Sequence, residues 1–333
     1  MNFKKKITAL LLSSIFTATI LGGCGSDTSD SKDDVAKIGI LQLIQHEALD
    51  SANEGFIDGL KEKGYEDGKN IKVEQQNAQG KIDIAQQIAG QFVSGKKDLI
   101  FSIATPTTQA VLNSTDSIPV VFSAVTDPVA DGIAKSWESS GNNATGTSDK
   151  VSIEEQLELF KKLVPDAKVM GVIFTTSETN SVNQVKELKE LASKFDLTIK
   201  EIGIANINEI NQNLTNAIGS IDALYVPTDN NVAASYDLVG KICVQNNIPA
   251  IGAEPAIVEK GGLFSKGLDY YELGKMAGYK AAEILDGKEP SDIPIETMKE
   301  LKITINTDVA KKLNITIPDD ILDSATAVTG GVN

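Results

Sequence analysis

From residue 37 onward, short apolar runs rich in β-branched side chains alternate with longer stretches whose apolar positions recur at helical spacing. Residues 37–43 (KIGILQL) read as a buried parallel strand. Residues 50–63 place Phe56, Ile57 and Leu60 on one helical face, and Gly64 ends the helix. Residues 71–75 read as a second strand, 82–92 as a second helix and 98–103 (DLIFSI) as a third strand. Thr105 and Pro106 open a helix through Leu112, as an N-cap followed by proline in the first turn. Residues 118–123 (IPVVFS) form a fourth strand.

The same order then recurs. Residues 168–174 (KVMGVIF) match 37–43, 182–194 are again amphipathic, 222–226 (DALYV) match 98–103, and 248–252 (IPAIG) match 118–123. Lys37 and Lys168 lie 131 residues apart, Asp98 and Asp222 lie 124 apart, and Pro119 and Pro249 lie 130 apart. Near-constant offsets in matching order point to duplication, and a short-period solenoid is excluded. Two successive βαβ runs predict an α/β chain of two doubly wound, parallel-sheet lobes with right-handed crossovers.

Residues 141–149 (GNNATGTSD) are expected to make the first crossing between lobes and the Gly-rich 260–269 the return. A helix over 271–285 then rejoins the first lobe, and 301–306 (LKITIN) cross a third time. On this reading one lobe is 36–148 with 268–290 and the other 149–267 with 291–333. Several connections make a hinge, which allows closure around a ligand. Ligands of such sheets bind outside the carboxyl ends of the strands. The expected cleft lining is therefore 42–50, 104–108, 124–127, 175–180, 227–231 and 253–255.

The amino-terminal pattern is different. Lys4, Lys5 and Lys6 precede an apolar stretch over 7–21 that is too short and too closely bounded for a transmembrane helix. It ends in Leu21-Gly22-Gly23-Cys24, which resembles the lipobox of bacterial lipoproteins. That resemblance implies removal of 1–23 as a signal peptide, a lipid anchor on the Cys24 sulfur and export to the extracytoplasmic face of the bacterial cell membrane. A plain signal peptide is the alternative. Two or three acyl chains hold a protein to a bilayer durably, where one does not. Residues 24–35 carry the polar run GSDTSDSKDD and read as a flexible tether.

Composition narrows the chemistry. Among 333 residues there are 31 basic side chains, all Lys, against 46 acidic, with one His and two Cys. The formal net charge is −15, and loss of the leader would leave 28 Lys and a net −18. Nucleic acid is not an expected partner. One His and two distant Cys cannot build a four-ligand Cys/His zinc site, and no disulfide framework is available. No metal or cofactor is expected: GxGxxG after a strand, GxxxxGK[ST] and GxSxG are all missing. The acidic clusters also lack calcium-loop spacing. Cys243 sits in an apolar-periodic run and reads as a small buried hydrophobe.

Without Arg, an anionic group must be met by Lys, hydroxyls, amides or helix N-termini. Thr105 and Thr107 at one helix start, and Thr228, Asp229 and Asn230 at another, suit a carboxylate. Thr105, Asp229 and Asn230 are alternatively plain caps. Asp127, Asp149 and Asp269 suit an ammonium. His46 follows the first strand as a ligand contact, as a supporting residue or, least favoured, as a general base.

These residues fall in motifs: ILQxxxHxALD over 40–50, NAQG over 77–80, IATP over 103–106, AVTDP over 124–128, GTSD over 146–149, YVPTDN over 225–230 and GLDYYELG over 267–274. In this order they make the chain resemble the solute-binding lipoproteins of ABC transporters with a type I periplasmic-binding-protein fold. The resemblance spans 35 to about 324 and is closest to the group associated with tryptophan and tyrosine uptake. It implies a non-enzymatic, monomeric receptor that delivers an aromatic amino acid to an ABC permease. It also implies polar contacts from Thr105, Thr126, Asp127, Asp149, Asn230 and Asp269, with Ser148 and Thr228 in the same motifs. The 42–49 loop, carrying Gln42, His46 and Leu49, is the implied side-chain pocket. Glu254 departs from the pattern with a charge at a cleft loop, and Trp137 lies outside the expected pocket. A surface sensor or adhesin on this fold is the main rival reading, and an enzyme on the same scaffold the weaker one.

Overall fold

The computed structural model describes residues 35–332, so the leader, Cys24 and all of the tether before Val35 lie outside the described residues. The first run is β1 (Ala36–Gln42), α1 (Glu47–Glu62), β2 (Ile71–Asn77), α2 (Ile82–Ser94), β3 (Leu99–Ile103), α3 (Thr105–Leu112), β4 (Val120–Ser123) and β5 (Ala144–Ser148). The second is α4 (Ile153–Leu163), β6 (Val169–Thr175), α5 (Thr179–Ala192), β7 (Thr198–Ile204), α6 (Ile210–Ile218), β8 (Ala223–Val226), α7 (Asn230–Ala233), α8 (Tyr236–Gln245), β9 (Ala250–Gly252), α9 (Ala256–Glu259) and β10 (Phe264–Gly267). There follow α10 (Tyr270–Leu285), β11 (Glu296–Thr297), β12 (Lys302–Asn306), α11 (Thr307–Lys312), α12 (Asp319–Ser324) and β13 (Ala325–Val328).

The strands form a six-stranded sheet, β11-β5-β4-β3-β1-β2, and a seven-stranded sheet, β13-β12-β10-β9-β8-β6-β7. The order β2-β1-β3-β4-β5 is repeated as β7-β6-β8-β9-β10, so the repeat read from the sequence is a repeat of topology. All pairings in these two sets are parallel. Parallel strands need helical crossovers, which cover both faces and make the central strands apolar throughout. Accordingly β3, β4 and β8 are buried along their whole length.

The first two crossings fall within the expected segments but are shorter, and the third is displaced. Residues 144–148 are not a linker but β5, paired with β4, so the chain leaves the first sheet only at Asp149. Likewise 264–267 form β10, and 302–306 form β12 antiparallel to it, both within the second sheet. Glu296 and Thr297 pair with Thr147 and Ser148 of β5. Residues 291–297, expected in the second lobe, are therefore held to the first, and the third crossing lies at 298–301. The first two crossings thus begin at 149 and lie at 268–269, within the expected 141–149 and 260–269, and only the third is displaced; a short apolar run has the same pattern whether it crosses or joins a sheet.

Helix α10 returns to the first lobe and lies against α1 at a distance only glycine permits. A Cβ on Gly55 would stand 2.0 Å from the Tyr271 carbonyl oxygen, and one on Gly274 would stand 2.0 Å from that of Ala52. Beneath this pair, Phe56 stacks on Phe101 of β3 with ring centroids 3.7 Å apart. Cys243 is fully buried in α8, and burial pushes its thiol up to about 12. It packs as the small hydrophobe expected of it.

Candidate functional site

The order β5-β4-β3-β1 sets the loops carrying Asp149, Thr126, Thr105 and His46 side by side along the carboxyl edge of the first sheet, roughly 5 Å apart per strand. All four residues are buried. The residues that turn the chain out of β3 and β4 are Ala104 (φ 90°) and Ala124 (φ 56°), left-handed conformations that cost alanine about 1–3 kcal/mol each. The strain sits where the two loops enter the cleft. Because α3 has Ala104 at its cap, no cap side chain accepts from its first N–H groups. The Thr107 hydroxyl donates back to the carbonyls of Ile103 and Ala104, and that of Thr108 to Ala104. Thr105 is thus the first helical residue rather than the cap, and its buried hydroxyl has no partner.

The second lobe answers with the loops after β6, β8 and β9. Asp229 caps α7 by accepting from the Val232 N–H, and also accepts from the backbone and hydroxyl of Thr175 and the hydroxyl of Ser181. Glu178 accepts from the backbone and side-chain amides of both Asn230 and Asn231. These two carboxylates knit the loop together and have their acceptor sites filled. Asn230 is oriented by Glu178 and presents its Oδ1 to the first lobe, where His46 Nε2 donates at 3.4 Å. That bond assigns the proton to Nε2 and leaves the lone pair of Nδ1 facing Glu254 Oε2 at 3.9 Å.

Four carboxyl groups, Asp149, Glu178, Asp229 and Glu254, are therefore buried between the lobes. Among the described residues no Lys forms an ion pair with any of them. Burial pushes Asp149 up to about 6 against the pull of the Tyr270 hydroxyl, which donates to its Oδ2 at 2.9 Å. Burial and the Asp229 charge push Glu178 up to about 8. Glu254 is held well above the carboxylate range by burial and then by Asp149, Asp229 and Glu178. Burial also lowers His46 to about 4, so its ring is neutral and relieves none of this charge. Among the described residues, Asp149 Oδ1, Glu254 Oε2 and the hydroxyls of Thr105, Thr126 and Tyr236 have no hydrogen-bond partner of ordinary geometry, although Thr126 faces Asp149 and Tyr236 faces Glu254. Unpartnered buried polar atoms are costly, and here they converge from both lobes on one cleft. The arrangement has acceptors for a cation and, at α3, donors for an anion.

The sequence-derived residues divide accordingly. His46, Thr105, Thr126, Asp149, Asn230 and Glu254 are brought together. Gln42 is used locally, donating to the Ile44 carbonyl and to Asp50. Leu49 is buried in the first-lobe core on α1. Ser148 ties down the Thr126 carbonyl, and Thr228 is bound through Gln184. Asp127 pairs with Lys150 at 2.5 Å and lines a cavity of ≈ 320 Å³ at the edge of the cleft with Asn180 and Asn183. Asp269 caps α10 and faces Lys302 beside a groove of ≈ 280 Å³ at the second crossing. Glu178, Tyr236 and Tyr270 were not singled out in advance. Glu178 lies in a loop already marked as lining and Tyr270 directly follows Asp269 in its motif, so both were within reach. Tyr236 carried no signal beyond helical burial.

Two mostly parallel sheets with loops converging on an interlobe cleft define a solute-binding architecture. The chain belongs to the ABC transporter substrate binding protein family, whose model matches residues 37–329. It is thereby the extracytoplasmic, small-molecule-binding partner of an ABC permease. It is similar to a tyrosine-binding protein of Clostridioides difficile (strain R20291), at 46% identity over 320 residues and 93% of each chain. A solved ABC domain from Streptococcus pneumonia in complex with L-Trp is 35% identical, with a TM-score of 0.85, covering 88% of this chain and 99% of that one. The ligand-free, open structure of a substrate-binding protein with adhesive properties from Clostridium difficile is 46% identical yet has a TM-score of only 0.67, covering 89% and 99%. The more similar sequence is the less similar shape. In the present conformation His46 of the first lobe meets Asn230 and Glu254, so the two lobes are in contact across the cleft.

Proposed function

We propose that this protein captures a free aromatic amino acid between its lobes and presents it to the permease as a lipid-anchored monomer without catalysing a reaction. The observation that carries the reading is the pair of buried, cation-free carboxyl groups with unpartnered oxygens, Asp149 and Glu254. An α-ammonium group supplies the missing charge and donors. The free first turn of α3, with the Thr105 and Thr126 hydroxyls, supplies donors for the α-carboxylate. The strand spacing fits this division: Thr126 lies one strand from both Thr105 and Asp149, on the scale of a single zwitterion. The aromatic side chain rests on the relatives that bind tyrosine and L-Trp. Anchoring rests on the Cys24 motif.

Isothermal titration of the folded chain with the twenty amino acids tests the reading. Micromolar binding, about −8 kcal/mol, is expected for one or more of Tyr, Trp and Phe. It should be weakened in N230A, which removes the His46 contact. Absence of binding and of thermal stabilisation by every amino acid would refute it.

A further inference from the structure

We propose that Asp131 of the first lobe and Asn183 of the second form a latch that holds the cleft shut without touching the ligand, and so sets how long the ligand stays. This rests on the reading that the chain binds its solute by lobe closure. Asp131 lies in the loop between β4 and β5, four residues beyond Asp127, while Asn183 lies in the first two turns of α5. Asn183 Nδ2 donates to Asp131 Oδ1 at 2.9 Å, across 52 residues of sequence and from one lobe to the other. One turn earlier in α5, the Thr179 hydroxyl accepts from Gln109 Nε2 at 3.3 Å. Gln109 belongs to α3 and also donates to the Asp131 backbone carbonyl at 3.0 Å, which fixes the Asp131 loop against the helix that bears Thr105. Asp131 is about 9% exposed and Asn183 half-buried, so the bond between them is partly shielded from water.

Gln109, Thr179 and Asn183 are engaged with one another or with Asp131, at the Asp127 and Asn180 edge of the cleft. The spare oxygen of Asp131, Oδ2, is buried at the edge, beside α5. The contacts join the two lobes, so separating the lobes would break them. A contact made only in the closed state raises that state's population, and apparent affinity follows the fraction of competent molecules. Because the latch forms after the ligand has entered, its loss acts on dissociation and leaves association almost unchanged.

The test uses stopped-flow and isothermal titration with L-Tyr and L-Trp on wild type, D131A, N183A, the double variant and D131N. D131A and N183A should each release the amino acid about three- to ten-fold faster, the range expected of one partly shielded hydrogen bond. The association rate should change less than two-fold. The double variant should be no worse than either single one, and D131N, whose amide oxygen still accepts from Asn183, should remain near wild type. Dissociation unchanged within two-fold in both alanine variants, or a loss confined to association, overturns the latch. Wild type that binds neither amino acid defeats the functional reading on which the latch rests, and is told apart by the wild-type trace alone.

Discussion

Replacing Asp149 by Asn should strengthen the ligand-free protein and weaken its binding, two effects of opposite sign from one substitution. The side chain is about 1% exposed, its Oδ2 is held by Tyr270, and its Oδ1 has no partner. Moving its carboxyl from the ordinary 3.8 to about 6 corresponds to about 3 kcal/mol against the ionised closed state at neutral pH. Asparagine keeps an oxygen for the Tyr270 hydroxyl and removes the charge, so a gain of about 1–3 kcal/mol, or roughly 2–6 °C in Tm, is expected for the ligand-free closed form at pH 7. A carboxyl whose folded value is raised costs stability progressively as pH climbs from its unfolded value to its folded one. The advantage of D149N should therefore grow between pH 4 and 6 and level off above. Binding should move the other way. Loss of a charge-assisted hydrogen bond to the ligand ammonium removes about 1.5–3 kcal/mol, a fall in affinity of roughly 10- to 150-fold. Thermal melts from pH 4 to 8 and titration calorimetry with the bound amino acid measure both. Affinity within three-fold of wild type, or a lower Tm at every pH, would refute the assignment of Asp149 as the ammonium's partner.

The same buried carboxyl makes the ligand-free equilibrium sensitive to pH. Burial, with a smaller push from Asp131, raises Asp149 against the pull of Tyr270 and Thr126, so if lobe closure supplies that burial, acid should favour the closed form. Small-angle scattering of the ligand-free protein should show a smaller radius of gyration at pH 5 than at pH 7, and a constant radius counts against the charge argument. In the first lobe, G55A or G274A forces a methyl into a carbonyl oxygen across α1 and α10, at a cost of about 1–3 kcal/mol. G90A, on α2 with nothing within 4 Å, should be neutral or gain up to about 1 kcal/mol, and equal melting of all three variants would sink the close-packing account.

The amino-acid sequence by itself determined the succession of strands and helices, their repetition and the set of loops that would gather at the carboxyl ends. These depend on local burial, and burial at period 2 or 3.6 is written into each segment. It also narrowed the style of recognition: a chain with no Arg and one His has only Lys, hydroxyls, amides and helix ends for an anion and carboxylates for a cation. What it left undecided was which polar residues remain available. Thr105, Thr126 and Asp149 keep unpartnered atoms, whereas Ser148, Thr228, Gln42 and Asp229, of the same chemical types in the same loops, have theirs taken. The consuming partner is often far along the chain. Asn230 meets His46 across 184 residues and Asp149 meets Tyr270 across 121, and no local pattern encodes such pairings. The sheet membership of 144–148, 296–297 and 302–306 had the same origin, since a short strand does not state its neighbour. Only the tertiary structure, by bringing two lobes together, turned a row of common polar residues into a site with unmet charge.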